Sequence, residues 1–476
     1  MSKQMPALSK EDLVLSIESL FQSPGNQNTE AIGIELEIFP FGYGKDQKDR
    51  LIDVENEQQS GLVDLLKKEA SKSDQLRFEP KEAGVNQFVM KGGGLVTFEP
   101  GGQIEFSSTA QRSMKGAFLE VKENLDKLYQ MISPLSIWLF HGGITPWHSV
   151  EEVGLKNTKP RYRAMDKYFE SIGPYGQQMM RLSTSIQVNL DFGEPSVARD
   201  RWIAANLMVP LLTGIYGNTP YFDNQVTGAK SYRSFVWQNL DKSRTGFPFS
   251  ASTNPFEADP IDQYLKFALN ARTVFLPDQK GNRCFQSSKI PFNEWLESGF
   301  NGIYPDKKDW EDHVSLLFPE VRPRGFLEFR SFDGQSQAWW AVPALMLSSI
   351  MYDSKAVAKV IDLLSPFKTK LNSMLRDASK SGIDSFPKIA QQLFEIALSA
   401  DGFYIEDELR GLMERFYKTY TLKGLNPSDL LLKHFPTMPP SPTEFSDFED
   451  KLLELSAPPE YAAFKYSSLN GQLAAL

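Results

Sequence analysis

Val96-Thr97-Phe98-Glu99-Pro100-Gly101-Gly102-Gln103-Ile104-Glu105-Phe106 decides how this chain folds. Pro-Gly-Gly between two runs of alternating apolar and polar residues predicts a β-hairpin. If Pro100, Gly101 and Gly102 form a three-residue loop, Glu99 stands opposite Gln103, and Glu105 lies on the same face two residues further on. A two-residue loop breaks that alignment. Upstream, Gly33-Ile34-Glu35-Leu36-Glu37-Ile38 places two carboxylates at i and i+2, which share one face of a strand. Downstream, Gly325-Phe326-Leu327-Glu328-Phe329-Arg330 puts Glu328 and Arg330 on one face and Leu327 and Phe329 on the other. In the run from Arg181 through Ser185, Gln187 and Asn189 to Phe192, odd positions are polar until Asp191. The even ones, apart from Thr184, are apolar.

Any one such face, taken alone, is explained by exposure to water. Four of them, each backed by Phe, Ile and Leu, favour a single sheet with a helix-packed back and a concave polar front. On that front Glu35, Glu37, Glu99, Glu105, Gln187 and Glu328 form a candidate hard-cation site. All-oxygen donors favour Mg²⁺ or Mn²⁺ over zinc or copper. Magnesium held by carboxylates and phosphate oxygens points in turn to a nucleotide, although no Gly-x-x-x-x-Gly-Lys-[Ser/Thr] loop is present.

Around these strands the periodicity predicts a Ser9-capped helix ended by Pro24-Gly25-Asn26, then strands at 31–40, 86–90, 95–99 and 103–108. Further helices are expected at 60–71 and 113–132. Residues 339–424 are almost wholly helical in pattern, and 436–442, rich in proline, predicts an extended segment laid over the surface. The fold class expected is α+β with an antiparallel sheet and segregated helices. The chain is taken as a single catalytic unit, 1–476, with a sheet-based core at 30–353 and a helical C-terminal part at 354–476.

Composition narrows the function. With 51 Lys+Arg against 60 Asp+Glu, the formal charge of −9 argues against binding a nucleic-acid backbone. The most apolar stretch, 338–351, contains Pro343 and falls short of the roughly 20 residues a membrane span needs, so it is expected to be a buried helix. The single cysteine, Cys284, excludes an intrachain disulfide and a cysteine-based metal cluster. A cytoplasmic location without a targeting segment is expected.

Two arginines, Arg233 and Arg244, occur with Trp237 in a segment expected to be a loop, and guanidinium forks suit a carboxylate or a phosphate. The alternative for Arg244 is an ion pair with Asp241. Arg161-Tyr162-Arg163 is a further candidate for contacting an anion or a base.

These strings, in order along the chain, resemble the plant-type glutamate–cysteine ligases and their bacterial relatives. The resemblance rests on Gly33-x-Glu-x-Glu37, the Phe98–Glu105 segment, Gln187-Val-Asn-Leu-Asp-Phe192, Arg233 to Gly246, Leu317-Phe-Pro-Glu-Val-Arg322 and Leu327-Glu-Phe-Arg330. It implies a glutamine-synthetase-like fold in which the sheet forms a funnel around ATP and two or three magnesium ions. It makes Glu35, Glu37, Glu99, Glu105 and Glu328 metal ligands with Gln187 beside them, and makes Asn189, Arg233 and Arg330 candidates for binding glutamate and phosphate. The implied reaction joins the γ-carboxylate of glutamate to the amine of cysteine at the expense of ATP, with Glu35, Glu328 and Arg330 closest to the chemistry and the enzyme a monomer or homodimer. Glu35→Gln or Glu328→Gln is then expected to cut turnover more than folding stability. His313 receives no role. Plant members carry redox cysteines, and a chain with Cys284 alone cannot form such an intrachain switch. The rivals are a ligase using another amine and, further off, a glycosidase working through paired carboxylates without nucleotide.

Overall fold

Ile32–Tyr43 forms a 12-residue strand, β1, around which the sheet is arranged. The computed structural model describes residues 8–23, 30–43, 49–52, 61–79, 86–133, 137–249, 257–286 and 289–456; the Pro24-Gly25-Asn26 stop and the end of the C-terminal part lie outside them. The other strands are β2 (Asp49–Leu51), β3 (Leu76–Phe78), β4 (Phe88–Met90), β5 (Leu95–Phe98) and β6 (Ile104–Ser107). After these come β7 (Ile137–Phe140), β8 (Ser185–Leu190), β9 (Val321–Pro323) and β10 (Leu327–Asp333). They make a ten-stranded sheet in the order β9-β10-β8-β1-β6-β5-β4-β3, with β2 and β7 pairing to β1. Its pairings are antiparallel throughout.

Alternation fixes which face is which. Ile32, Ile34, Leu36 and Ile38 are buried on the back, so Gly33, Glu35 and Glu37 face front. Met114–Ile132, Pro195–Ile215 and Val342–Met351 are among the helices that pack on the sheet, against β1, β7, β8, β9 and β10. Every residue of Val342–Met351 is buried, and Pro343 sits in its first turn, where it starts the helix instead of interrupting it. Truncating a Leu or Ile in such a place costs about 2–5 kcal/mol. Ser354–Leu364 and Leu371–Ser381 pack on Pro195–Ile215, and the main apolar cluster runs without a break from the sheet into these C-terminal helices.

The first helix begins as predicted: the Ser9 side chain accepts from the Asp12 N–H, and the Asp12 carboxylate returns to the Ser9 backbone. Trp147 Nε1–H donates to the Pro440 carbonyl at 2.8 Å, tying down the proline-rich segment before a helix starts at Pro442.

Two local expectations are corrected. Alternation from Arg181 extends the strand too early: Tyr175–Leu182 is helical, and Arg181 closes it with its guanidinium on Asp166 at 2.6 Å. The segment around Arg233 is a helix, Tyr232–Leu240, capped by the Ser231 hydroxyl. Its Arg233, Val236, Trp237 and Leu240 are buried at helical spacing, a period that the surrounding Gly and Asp obscured.

Candidate active site

The hairpin has the three-residue loop. Glu99 N–H donates to the Gln103 carbonyl at 2.9 Å, and Gly102 N–H returns to Glu99 at the same distance. Gly101 is required here, since a Cβ would stand 2.0 Å from the Arg181 carbonyl oxygen, and Gly102 takes φ +92°. Gln103 does not face the cavity; its amide donates to the Ser183 carbonyl at 2.9 Å and locks the loop to the start of β8.

Register then aligns the polar residues in rows across the sheet. Glu37 pairs with Glu105, which pairs with Thr97. Glu35 pairs with Gln187. Gly33 pairs with Asn189, Asn189 with Glu328, and Glu328 with Arg322. Between Phe329 and Phe332 the β10–β8 register shifts, and this bulge turns Arg330 so that it donates to the Gln187 amide oxygen at 2.8 Å. The other end of that amide donates to Glu37 at 3.2 Å, and Asn189 Nδ2 donates to Glu35 at 2.9 Å.

Glu35, Glu37, Glu99, Glu105 and Gln187 line one cavity of about 730 Å³. Burial first, then Glu105 and Glu328, push the Glu35 carboxyl up to about 7. Glu99 lies well above the usual carboxylate range through burial, Glu105 and Glu37. Glu105 is raised by burial and by Glu37, and Glu37 is raised by burial against the pull of Arg233 and Arg330. Four acids are thus crowded together with too little cation charge in the protein to satisfy them.

Glu328 behaves differently from the free metal ligand expected of it. It is fully buried, and its two oxygens accept from Arg322 (2.9 Å to Nη2), Arg324 (3.0 Å) and Arg330 (3.1 Å). Although burial works to raise it, Arg322 and Arg330 hold this carboxyl well below the ordinary range. The reason is register, which sets Arg322 directly opposite Glu328. Glu328 is therefore the anchor of an arginine cluster.

Arg233 lies behind the wall, not on it: its guanidinium stacks on Trp237 at 5.1 Å and donates to the Arg330 carbonyl at 3.1 Å. Arg330 lies over the same indole at 5.5 Å. Arg244, expected to bind substrate, is fully buried away from the cavity and is bound to Asp241 at 2.8 Å and to the Leu316 carbonyl at 2.8 Å. Burial works against Asp241, yet Arg244 and the Tyr168 hydroxyl hold its carboxyl down at about 2. That correction follows from the helix before it, which turns Arg244 inward. His313 packs on Phe292 and bonds the Ala268 carbonyl, a structural place.

Sequence reasoning missed Arg322 and Arg324 as cavity residues. Arg-x-Arg three residues before a predicted strand, with Gly325 at φ +78° to turn the chain, was the available signal. Arg161 and Tyr162 do line the cavity, from the helix Pro160–Glu170, beside an apolar wall of Met165, Leu316 and Phe318.

Among relatives, the chain is 29% identical to the chloroplastic glutamate–cysteine ligase of Nicotiana tabacum over 378 residues, covering 78% of this chain and 68% of that one. It is 28% identical to the Medicago truncatula protein of the same name over 445 residues, 90% of this chain and 82% of that one. A crystal structure of glutamate–cysteine ligase from Francisella tularensis in complex with AMP superposes with a TM-score of 0.50 at 12% identity, over 94% of this chain and 93% of that one, and shows a shared fold. The family profile described as glutamate-cysteine ligase family 2 (GCS2) matches residues 31–392, and the chain belongs to that family.

Proposed function

We propose that this ligase joins the γ-carboxylate of L-glutamate to the amine of L-cysteine, with ATP as cosubstrate. The observation that carries the reading is one cavity in which Glu35, Glu37, Glu99 and Glu105 face each other while Arg322, Arg324 and Arg330 form another side. A γ-carboxylate oxygen attacks the γ-phosphorus of ATP and ADP leaves; the amine nitrogen then attacks the acyl carbon of the γ-glutamyl phosphate, phosphate departs and the amine loses a proton. Positioning and neutralisation of phosphoryl charge do most of the work in such a reaction. The arginines supply fixed cations for phosphate or carboxylate oxygens, and Trp237, with Arg233 stacked on the same indole, holds Arg330 in place from behind.

The donor set fits Mg²⁺ or Mn²⁺: hard oxygen ligands whose mutual repulsion a divalent cation relieves. Among the described residues no three Asp, Glu, His or Cys side chains already converge as a metal-holding group. Two or three ions would accordingly be held by Glu35, Glu37, Glu99 and Glu105 together with oxygens of phosphate or water, and when bound would neutralise the polyphosphate. Gln187 bridges Arg330 and Glu37, and so couples the cationic side to the acidic one.

Also part of this reading are a single catalytic unit over 1–476, a monomer or homodimer, and a cytoplasmic setting. A lone cysteine is compatible with a reducing compartment, whereas the plant relatives are named as chloroplastic. Among the described residues no helix is long and apolar enough to cross a membrane.

The test is ADP release from Mg-ATP and L-glutamate, with and without L-cysteine and beside a panel of other amines. Release that requires cysteine and stops with EDTA is expected. Release with a different amine would replace the acceptor, and ATP-independent hydrolysis of a glycoside that survives EDTA would replace the reaction.

A further inference from the structure

A second cavity, about 790 Å³, opens against the outward face of the Tyr232–Leu240 helix and shares no lining residue with the acidic one. Arg233 and Trp237 occupy the inward face of that helix, and Tyr232 and Phe235 the outward face. Its opposite wall is the helix Leu371–Ser381, from which Asn372, Arg376 and Lys380 project at intervals of four residues.

The charge here runs against that of the chain. Acids outnumber bases overall, 60 to 51, yet the lining contains Lys242, Arg376 and Lys380 and no Asp or Glu. Among the described residues none of these three cations has an ion pair. Of the acids close in sequence to the lining or paired beside it, Asp241 is bound by Arg244, Asp429 by Lys230, and Asp377 is not part of the lining. Arg376 and Lys380, like charges one turn apart on a helix, repel unless an anion lies between them.

The rings add a second chemistry. Phe222, Tyr232 and Phe235 stack in series with centroids 5.0 and 5.6 Å apart and planes within 23° of parallel. Phe235, with Tyr232 stacked on it and Tyr175 edge-on at 5.6 Å, still keeps 38% of its surface exposed to meet a flat ring. Phe247 contributes a third aromatic wall, and Gly246, at φ +81°, leaves open space beside Asn372, whose amide is free to meet a ring edge. The volume suits a ligand of several hundred Å³.

We propose that this cavity binds a nucleoside phosphate without a metal ion, its base against Phe235 and its phosphates among Lys242, Arg376 and Lys380. The inference does not depend on the reading of the acidic cavity, which would take its nucleotide only together with divalent cations.

That contrast gives the experiment: ADP binding to the full chain by equilibrium dialysis in EDTA. One ADP per chain is expected, with an affinity that falls steeply as salt is raised. An Arg376→Glu/Lys380→Glu double variant should bind at least tenfold more weakly at an unchanged melting temperature, since both residues are exposed. Phe235→Ala should weaken ADP while leaving inorganic pyrophosphate unaffected. No ADP binding in EDTA, or binding that charge reversal leaves intact, overturns the site. Pyrophosphate binding as tightly as ADP, with no effect of Phe235→Ala, overturns the nucleoside part.

Discussion

Glu99 and Glu328 are glutamates on the polar face of one sheet, and burial works to raise the pKa of both. Glu99 goes well above the carboxylate range because Glu105 and Glu37 stand beside it; Glu328 is held well below because Arg322 and Arg330 do. Residue type and strand face are the same, and counter-charge alone separates them. An acid whose cations come from the chain is satisfied on folding, so its work is structural. One among other acids keeps an unmet demand, which only a cation brought from solution can answer. The sheet thus divides its acids between holding the protein's own arginines and holding something that arrives with substrate.

The largest effect should come from the satisfied acid. Glu328→Gln leaves Arg322 and Arg330 in a buried place without their anion, and breaking a buried pair costs about 3–5 kcal/mol. Arg324, at 49% exposure, adds little. Urea unfolding checks the loss, and pH supplies the sign. A carboxyl depressed in the folded state stabilises above its unfolded value, near 4.5, and that contribution disappears as pH falls through the folded value. The gap between wild type and variant should therefore be widest at neutral pH and close in acid. A variant that folds as stably as wild type but loses turnover would return Glu328 to direct catalysis and erase the contrast.

Glu99→Gln should do the reverse. Removing one of four crowded charges relieves repulsion, so stability without divalent cation should hold or rise, while turnover falls about 10²–10³-fold, the usual scale for one electrostatic contact at the reacting centre. Stimulation by Mg²⁺ should shift to higher concentration. Thermal melting and ADP release, each measured over a magnesium series, separate the two effects. Equal losses of stability in Glu99→Gln and Glu328→Gln would break the comparison.

Much of this contrast was legible in the sequence, because strand alternation is a local rule. Pro100-Gly101-Gly102 set the hairpin, and the i, i+2 spacing of Glu35 and Glu37 and of Glu328 and Arg330 set their face. Pairing across strands was not legible. Nothing local to Glu328 says that Arg322 stands opposite, since that depends on the turn at Gly325. Helical spacing around Arg233 was hidden by the surrounding Gly and Asp, and with it the burial of Arg244, although its ion pair with Asp241 was the alternative that the sequence offered. The short strands β2, β3 and β7 were missed because they are too brief, or in β7 too uniformly buried, to alternate.

The smallest effect falls at the boundary between the two groups of acids, on Gly33. Asn189 lies across this glycine to reach Glu35, and a Cβ added at Gly33 would stand 3.2 Å from the Asn189 Cβ. Gly33→Ala should push Asn189 away by a few tenths of an ångström and weaken its 2.9 Å bond to Glu35, at a cost of about 1 kcal/mol. Asn189→Gly removes the same bond together with the Cβ that the new alanine would meet. If Gly33 serves only to make room, the double variant should match Asn189→Gly alone in both melting temperature and ADP release, with no added loss from the alanine at 33. Additive losses would mean that Gly33 answers to the backbone pairing of β1 with β8, and that Glu35 is held among the unsatisfied acids by the strand instead of by its neighbour.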